Sequence, residues 1–268
     1  MLTDITLGQY FPGKSLIHQL DPRAKIICVL LFISSIFVGE SYAAYGLMAG
    51  FVATVLALSS IPPAMILKSL KPLWIIIILT VGIHVFTTPG QAIYELGPLT
   101  VTAEGLRQGF LMSTRLILLI VISSLLTYTT SPIALTDAIE RLLKPFEKLG
   151  LPAHELAMMM TIALRFIPTL LEETDRIMKA QMARGADFAS GNLLRRAKSM
   201  VPLLVPLFIS AFRRADELAV AMEARCYRGG ENRTRMKELR HTTKDWAAYA
   251  VMGFMIVILI YLRATTGK

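Results

Sequence analysis

The sequence predicts an all-α, polytopic membrane protein with about five transmembrane helices and a cytoplasmic domain of long amphipathic helices. Two observations predict this class. Hydrophobic residues make up 54% of the 268 residues, and the mean hydropathy of +0.56 is more typical of membrane proteins than of soluble domains. The apolar residues are also concentrated in long uncharged runs, such as residues 72–94 and 116–136, whereas the net charge of +9 comes from the stretches between them.

Five segments are predicted to cross the membrane, because about 20 apolar residues span ~30 Å of hydrocarbon. They lie near residues 23–39, 42–60, 71–88, 108–128 and 246–263. The first is the shortest, since its uncharged run has only 14 residues and Arg23 and Lys25 must reach the interface if it spans. A cleaved signal peptide is the alternative for this segment. Asp21 and Pro22 instead favour a helix N-cap followed by proline at the first helical position.

The distribution of lysine and arginine predicts the orientation of the chain. Nineteen of the 28 lie in residues 130–245, whereas residues 89–107 contain only Arg107. The N-terminus and the large insert are therefore predicted to be cytoplasmic, and five spans place the C-terminus outside. The chain is thus divided into an N-terminal membrane domain (1–130), a cytoplasmic helical domain (131–245) and a C-terminal transmembrane helix (246–268).

The cytoplasmic insert is predicted to form three amphipathic helices. The first follows the N-cap residue Ser131 and covers residues 132–149. The second covers residues 152–185 and the third residues 192–225. The apolar core of the third helix, 199–212, is short and interrupted by prolines, so it is predicted to lie at the membrane interface or against the membrane domain.

The second and third helices of the insert end alike. Ala183 and Arg184 at the end of one helix are matched 41 residues later by Ala224 and Arg225 at the end of the other. A cation at a helix C-terminus is favourable by itself, by ~0.3–1 kcal/mol, and Gly185 suits a left-handed C-cap. Capping alone explains one such end, but the repetition favours two equivalent contact points for a partner.

The chain resembles the T component of energy-coupling factor transporters, of the shared (group II) type, over nearly its whole length. The resemblance is carried by SLIHQLDPRAK before the first span, ALRFIPTLLEETDRIMKAQMARG in the insert, and the paired ends Ala183-Arg184-Gly185 and Ala224-Arg225-Cys226. It implies a coupling subunit of an ATP-driven vitamin or micronutrient importer in the prokaryotic cytoplasmic membrane. Its expected partners are the lipid bilayer, two ABC-type ATPases, as a heterodimer, and exchangeable substrate-binding S subunits.

The same resemblance implies roles for particular residues. Each of the two arginine ends would dock into one ATPase. The chain would not itself be an enzyme and would bind no cofactor or metal, because Mg-ATP would be held by the partner ATPases; no nucleic acid is expected. Cys226 stands where many members have glycine, so the second helix is expected to end less sharply or to rely on Gly229 and Gly230.

Four further residues are proposed contacts of the S subunit or within the membrane: Arg115, Met158, Met159 and Met160. An arginine inside a membrane span is a functional-site candidate, although a structural pairing is an equal alternative. Methionine side chains adapt to differently shaped partners, although ordinary core filling remains the alternative.

Two features favour other classes of protein. GQYFPGKS, residues 8–15, matches the phosphate-binding P-loop, but a P-loop needs a strand before it and a sheet around it. Glu172, Glu173 and Asp175 would suit a magnesium-dependent transferase acting on a diphosphate lipid, but Lys179 one turn further favours a self-paired, solvated face. A permease subunit of another ABC transporter type is the remaining alternative.

Overall fold

The structure is a computed structural model that describes residues 9–39, 41–96, 99–186, 188, 193–229 and 239–266. Its chain forms two compact units. The membrane unit consists of Gln9–Leu135 and Glu238–Lys268, and the helical unit consists of Thr136–Lys237 together with Met1–Gly8.

The membrane unit is built from helices and one short hairpin. Its helices are α1 (Leu16–Gln19), α2 (Pro22–Ile36), α3 (Tyr42–Ser59), α4 (Pro63–Leu70), α5 (Trp74–Thr87), α6 (Ala103–Thr129) and α10 (Thr243–Thr266), with a 3₁₀ turn at Lys71–Leu73. Strands β1 (Ala92–Leu96) and β2 (Leu99–Thr102) pair antiparallel between α5 and α6. This hairpin is the one sheet in the described part of the chain, and it lies between the predicted spans 71–88 and 108–128.

Five described helical segments are long and apolar enough to cross a membrane. Four of them, α3, residues 63–87, α6 and α10, confirm the predicted spans from 42 onwards. The predicted first span is shorter than expected, because α2 has 15 residues and at ~1.5 Å per residue is shorter than the ~30 Å hydrocarbon layer. The fifth segment is α8 (Ala153–Ala183) of the helical unit, the least hydrophobic of the five.

The core of the membrane unit lies between α2, α3, α6 and α10. Its completely buried large side chains are Phe32 and Ile36 of α2, Met48 of α3, and Met252 and Leu259 of α10. The predicted N-cap of α2 is confirmed, because Asp21 Oδ1 accepts the Arg23 N–H at 2.9 Å. The short helix α2 is therefore a central part of this core.

Helices α5 and α6 pack at close range through two glycines spaced one turn apart in α6, Gly105 and Gly109. A Cβ at position 105 would lie 2.6 Å from the carbonyl oxygen of His84, and one at 109 would lie 3.4 Å from that of Val81. Small residues at this spacing allow the backbones of membrane helices to approach closely. The glycines therefore set the distance between α5 and α6.

The helical unit contains most of α7 (Pro132–Leu143), a 3₁₀ segment (Lys144–Leu149), α8 and α9 (Leu193–Ala224). The prediction of one helix over 132–149 was wrong over its last six residues, Lys144–Leu149. Pro145 has no N–H to continue the helical hydrogen bonds and disfavours helical geometry in the residue before it, so α7 ends at Leu143. The predicted extents of the two longer helices are confirmed to within a few residues.

The helical unit leaves a large apolar surface uncovered. Leu203 is buried on α9, but most of the other large apolar side chains of its middle section are 45–68% exposed. They are Met200, Val201, Leu204, Val205, Phe208, Ile209 and Phe212. An apolar surface of this kind on a long helix marks a contact with another protein or with lipid.

Candidate functional site

The end of α8 forms a Schellman motif around Arg184 and Gly185. The N–H of Gly185 donates to the carbonyl of Met182 at 3.0 Å, and the N–H of Ala186 donates to that of Gln181 at 2.9 Å. Gly185 has φ +88°, in the left-handed region that favours glycine. Arg184 is the C-cap residue and its side chain is exposed.

The end of α9 has the same geometry, which corrects the expectation of a less sharp end. The N–H of Cys226 donates to the carbonyl of Glu223 at 2.8 Å, and the N–H of Tyr227 donates to that of Met222 at 3.0 Å. Cys226 takes the left-handed conformation at φ +54°, so Gly229 and Gly230 are not needed to stop the helix, and Gly230 lies outside the described residues. The two arginine ends, Arg184 with Gly185 and Arg225 with Cys226, are thus equivalent in backbone structure.

Helices α8 and α9 run antiparallel, which places the two arginine ends far apart. The side-chain contacts between them run in descending register, from Met158 with Tyr227 through Glu173 with Arg214 to Gln181 with Pro202. The end of α9 therefore lies beside residue 158, and Arg184 lies 26 residues further along α8. At ~1.5 Å per residue the two ends are roughly 40 Å apart.

The end of α9 is held in place by a chain of polar contacts that no local sequence pattern predicts. The Tyr227 hydroxyl lies 3.0 Å from Met158 Sδ and 3.2 Å from His154 Nε2. The other ring nitrogen of His154, Nδ1, lies 3.0 Å from Glu140 Oε1 on α7. No periodic pattern links these residues in the sequence, because they come from α7, from α8 and from the residues just after α9.

Both arginine ends offer free, exposed surface. Arg184 and Arg225 are exposed, as are the neighbouring Ala183 and Ala224. Neither guanidinium forms a hydrogen bond or an ion pair with any other residue in the described part of the chain. Each end therefore presents an arginine guanidinium beside a small alanine side chain to a binding partner.

The four proposed S-subunit or intramembrane contacts lie in different environments. Met159 and Met160 of α8 are exposed by 57% and 43%, whereas Met158 is half-buried against Tyr227. Arg115 belongs to the membrane unit, where its Nε donates to the Tyr45 hydroxyl at 3.0 Å. Its guanidinium also lies 5.3 Å above the Phe37 ring. These contacts connect α6 with α3 and with the C-cap residue of α2.

Two of the three clustered acidic residues of α8, Glu173 and Asp175, are already paired. Glu173 accepts a hydrogen bond from the Ser210 hydroxyl at 2.6 Å and forms an ion pair with Arg214 at 2.8 Å. Asp175 pairs with Lys179 one turn further at 2.6 Å, as the spacing predicts. Among the described residues, no group of three acidic, histidine or cysteine side chains could hold a metal ion. The transferase alternative is therefore not favoured.

The P-loop match has a backbone unlike a phosphate-binding loop. The residues from 9 to 14 form neither strand nor helix, and the helix that follows, α1, has only four residues. His18 Nε2 lies 2.9 Å from the carbonyl oxygen of Phe11. Nucleotide binding by this segment has no support in its geometry.

The membrane unit, the antiparallel long helices and their matched ends define a multi-pass membrane subunit that carries a long-helix unit. Comparison with known proteins specifies the class. The family model described as cobalt transport protein matches residues 13–236. The chain is 62% identical to the energy-coupling factor transporter transmembrane protein EcfT of Acidaminococcus fermentans, over 98% of each chain.

Related proteins of the same description come from other bacteria. The identity is 62% for that of Thermosediminibacter oceani, over 98% of this chain and 99% of that protein. It is 49% for that of Bacillus subtilis, over 98% of this chain and 100% of that protein. The chain therefore belongs to the family of energy-coupling factor transporter transmembrane proteins. Its function is that of the transmembrane, or T, subunit of such a transporter.

Proposed function

We propose that this T subunit couples ATP hydrolysis in two partner ATPases to a substrate-binding S subunit, with the two arginine ends as its docking points. The observation that carries the proposal is the pair of equivalent, exposed helix ends roughly 40 Å apart. Because the two helix ends have the same backbone geometry, they suit two partner subunits that share one fold. Their separation leaves room for each end to contact a different ATPase subunit.

The chemistry of the ends suits insertion into a groove. The arginine guanidinium is always charged and presents a planar set of donors that binds a carboxylate through two hydrogen bonds. Ala183 and Ala224 allow a partner backbone to approach closely. Because the third residue is Gly185 at one end and Cys226 at the other, the two receiving grooves need not be identical, which favours a heterodimer of ATPases.

Mg-ATP is proposed to bind in the partner ATPases and not in this chain. The paired state of Glu173 and Asp175 and the irregular backbone of residues 9–14 support this division of labour. The T subunit is then a non-catalytic component. Its task is mechanical, since it transmits the closure of the ATPase pair to the membrane.

The S subunit is proposed to contact the exposed apolar face of α9 together with Met159 and Met160. This face has the aliphatic and aromatic composition of a helix-packing surface. Flexible thioether side chains suit a surface that receives S subunits of different shape in turn. The transported substrates would be vitamins or other micronutrients, with the choice made by the S subunit.

The docking proposal is tested by reversing each charge in Arg184→Glu and Arg225→Glu. A surface cation at a helix end is worth ~1 kcal/mol or less, so both variants are expected to fold and insert. A charge reversed inside a partner's groove costs ~2–5 kcal/mol, which weakens attachment by about 30-fold or more. Each variant is expected to lose co-purifying ATPase, and the double variant to lose most.

The matched control is Arg213→Glu, which reverses an exposed charge in the middle of α9. It is expected to leave ATPase co-purification at the wild-type level. Wild-type ATPase co-purification by both single variants and by the double variant would refute docking and leave the arginines as helix caps.

A further inference from the structure

A buried carboxylate, Asp245, joins the N-terminal ends of α2 and α10. Its Oδ1 accepts the Asp21 N–H at 2.8 Å, and its Oδ2 accepts the Thr242 N–H at 2.7 Å and the Thr242 hydroxyl at 2.8 Å. Asp245 is completely buried, at 0% exposure. It therefore caps its own helix and fixes the N-cap residue of α2 with the same side chain.

Arg23 extends this contact to the chain before α10. Its guanidinium pairs with the Asp21 carboxylate at 2.7 Å and also donates to the Leu239 carbonyl at 3.0 Å. Burial disfavours the charged form of Asp21, but the hydrogen bonds and charge of Arg23 outweigh this and hold its pKa below the usual value. Asp21 is therefore ionised at neutral pH, and its charge is balanced within the cluster.

Lys25 connects the C-terminal end of α6 to this cluster. Its buried ammonium donates to the Thr129 carbonyl at 2.8 Å, to the Thr130 hydroxyl at 3.3 Å and to the His18 carbonyl at 3.3 Å. Acids thus lie at the N-termini of α2 and α10, and a cation lies at the C-terminus of α6. Each charge has the sign that its helix dipole favours.

The cluster lies within the membrane unit, close in sequence to both of the boundaries at which the chain enters and leaves the helical unit. Thr129 and Thr130 lie just before Thr136, where the helical unit begins. Leu239 and Thr242 lie just after Lys237, where it ends. The stretch DPRAK, to which neither docking nor substrate binding assigns a role, supplies the Asp, Arg and Lys of this cluster.

Stability alone does not require such a cluster, because well-packed apolar residues often stabilise a core at least as well as buried charges do. Directed hydrogen bonds, in contrast, fix the relative position of chain segments. If the ends of the membrane unit next to these boundaries were loosely held, they would absorb a movement of the helical unit, whereas ends held by the hydrogen bonds of the cluster pass it on.

We propose that Asp21, Arg23, Lys25, Thr242 and Asp245 form a rigid joint that transmits movement of the helical unit to α2, α6 and α10. Asp245 is the central positioning residue of this joint, because it contacts both helix N-termini. The inference rests on the proposed function, since the movement comes from partner ATPases. The joint would be the part of the T subunit through which docked ATPases move the membrane helices.

The test uses the whole transporter complex in ATP-loaded proteoliposomes and the substitution Asp245→Asn. An amide keeps the size but turns one acceptor into a donor that faces the Asp21 or Thr242 N–H. Uptake is measured with radioactive cobalt and a panel of radiolabelled B-group vitamins, and phosphate release is measured in parallel. The accumulated substrate per phosphate released is expected to fall about fivefold or more, while ATPase attachment and phosphate release persist.

Two controls separate coupling from folding. Asp216→Asn makes the same change at an exposed position of α9 and is expected to leave the ratio unchanged. If Asp245→Asn fails to insert, Thr242→Val, which removes one hydroxyl donor, and Thr242→Ser, which keeps it, decide the question. The joint is supported if the accumulated substrate per phosphate released falls in Thr242→Val and stays at the wild-type value in Thr242→Ser.

The possible failures are distinguishable. An unchanged ratio of uptake to phosphate release in Asp245→Asn or, where that variant does not insert, in Thr242→Val overturns the joint and leaves the docking proposal intact. A wild-type complex that contains no ATP-hydrolysing subunit overturns the proposed function, and with it the source of the movement.

Discussion

Cys226 occupies a backbone position that glycine holds at the equivalent end of the other long helix. Its φ of +54° places a side chain where L-residues are strained, by ~1–2 kcal/mol for a left-handed residue. The Schellman hydrogen bonds of α9 are nevertheless complete. The next residue, Tyr227, is held by its contacts with His154 and Met158.

Cys226→Gly is expected to stabilise the end of α9. Relief of the strain is partly offset by the greater freedom of glycine in the unfolded chain, ~0.4–1 kcal/mol, so the net gain is about 1 kcal/mol or less. The reciprocal variant Gly185→Cys is expected to destabilise the end of α8 by a similar amount. Amide hydrogen exchange measures these changes in stability, at residues 220–227 for Cys226→Gly and at residues 179–186 for Gly185→Cys. Equal exchange rates in Cys226→Gly and the wild type would contradict the strain.

Sequence patterns predicted the residues of the arginine ends but not the contacts that hold them. The repeated alanine and arginine, the N-cap Asp21 and the i to i+4 pair of Asp175 with Lys179 are local features, and local spacing reveals them. The contacts of Glu173 with Arg214 and of His154 with Glu140 join separate helices. Their partners depend on the register between helices, which no local pattern specifies.

At the scale of elements, the packing of α5 against α6 depends on Gly105. Gly105→Ala would place a Cβ 2.6 Å from the His84 carbonyl oxygen and force the helices apart, at a cost of ~1–3 kcal/mol. Gly82→Ala in α5 is the matched control, because a Cβ there meets no atom within 4 Å. Alanine is the better helix former, so this control is expected to be neutral or slightly stabilising. Thermal unfolding in detergent compares the two, and equal midpoints would contradict the close packing.

The extents of the long helices followed from their hydrophobic periodicity, whereas the short elements did not. Pro145 and the dipeptide Gly97-Pro98 are local signals in the sequence that stop helices and favour turns. Both were outweighed by the longer apolar patterns around them. Helix α2 shows the opposite case, because its composition resembles a span although its length is limited by the cap of α3 at Ser41.

At the scale of the whole molecule, the contact of Asp245 with Asp21 shows that α2 and α10 begin at the same face of the membrane unit, which the number of spans alone does not determine. The N-termini of α2 and α10 lie side by side, so these two helices enter the bundle from the same face. The end of α6 lies at that face too, because Lys25 contacts Thr129. The C-terminal end of α10 is therefore expected on the face opposite to the start of α2, as an odd number of crossings requires.

The positive charge of the helical unit then predicts which face is cytoplasmic. In a background of Cys28→Ala and Cys226→Gly, a cysteine at Gln91 or Thr265 is expected to react with an impermeant thiol reagent in intact cells. Both positions are exposed. Gln91 lies just after α5 and Thr265 lies at the end of α10, both on the face away from Asp21. A cysteine at Glu217, exposed on α9, is expected to react only after the membrane is permeabilised. Labelling of Glu217→Cys but not of Gln91→Cys in intact cells would reverse the orientation and place the arginine ends beyond the reach of cytoplasmic ATPases.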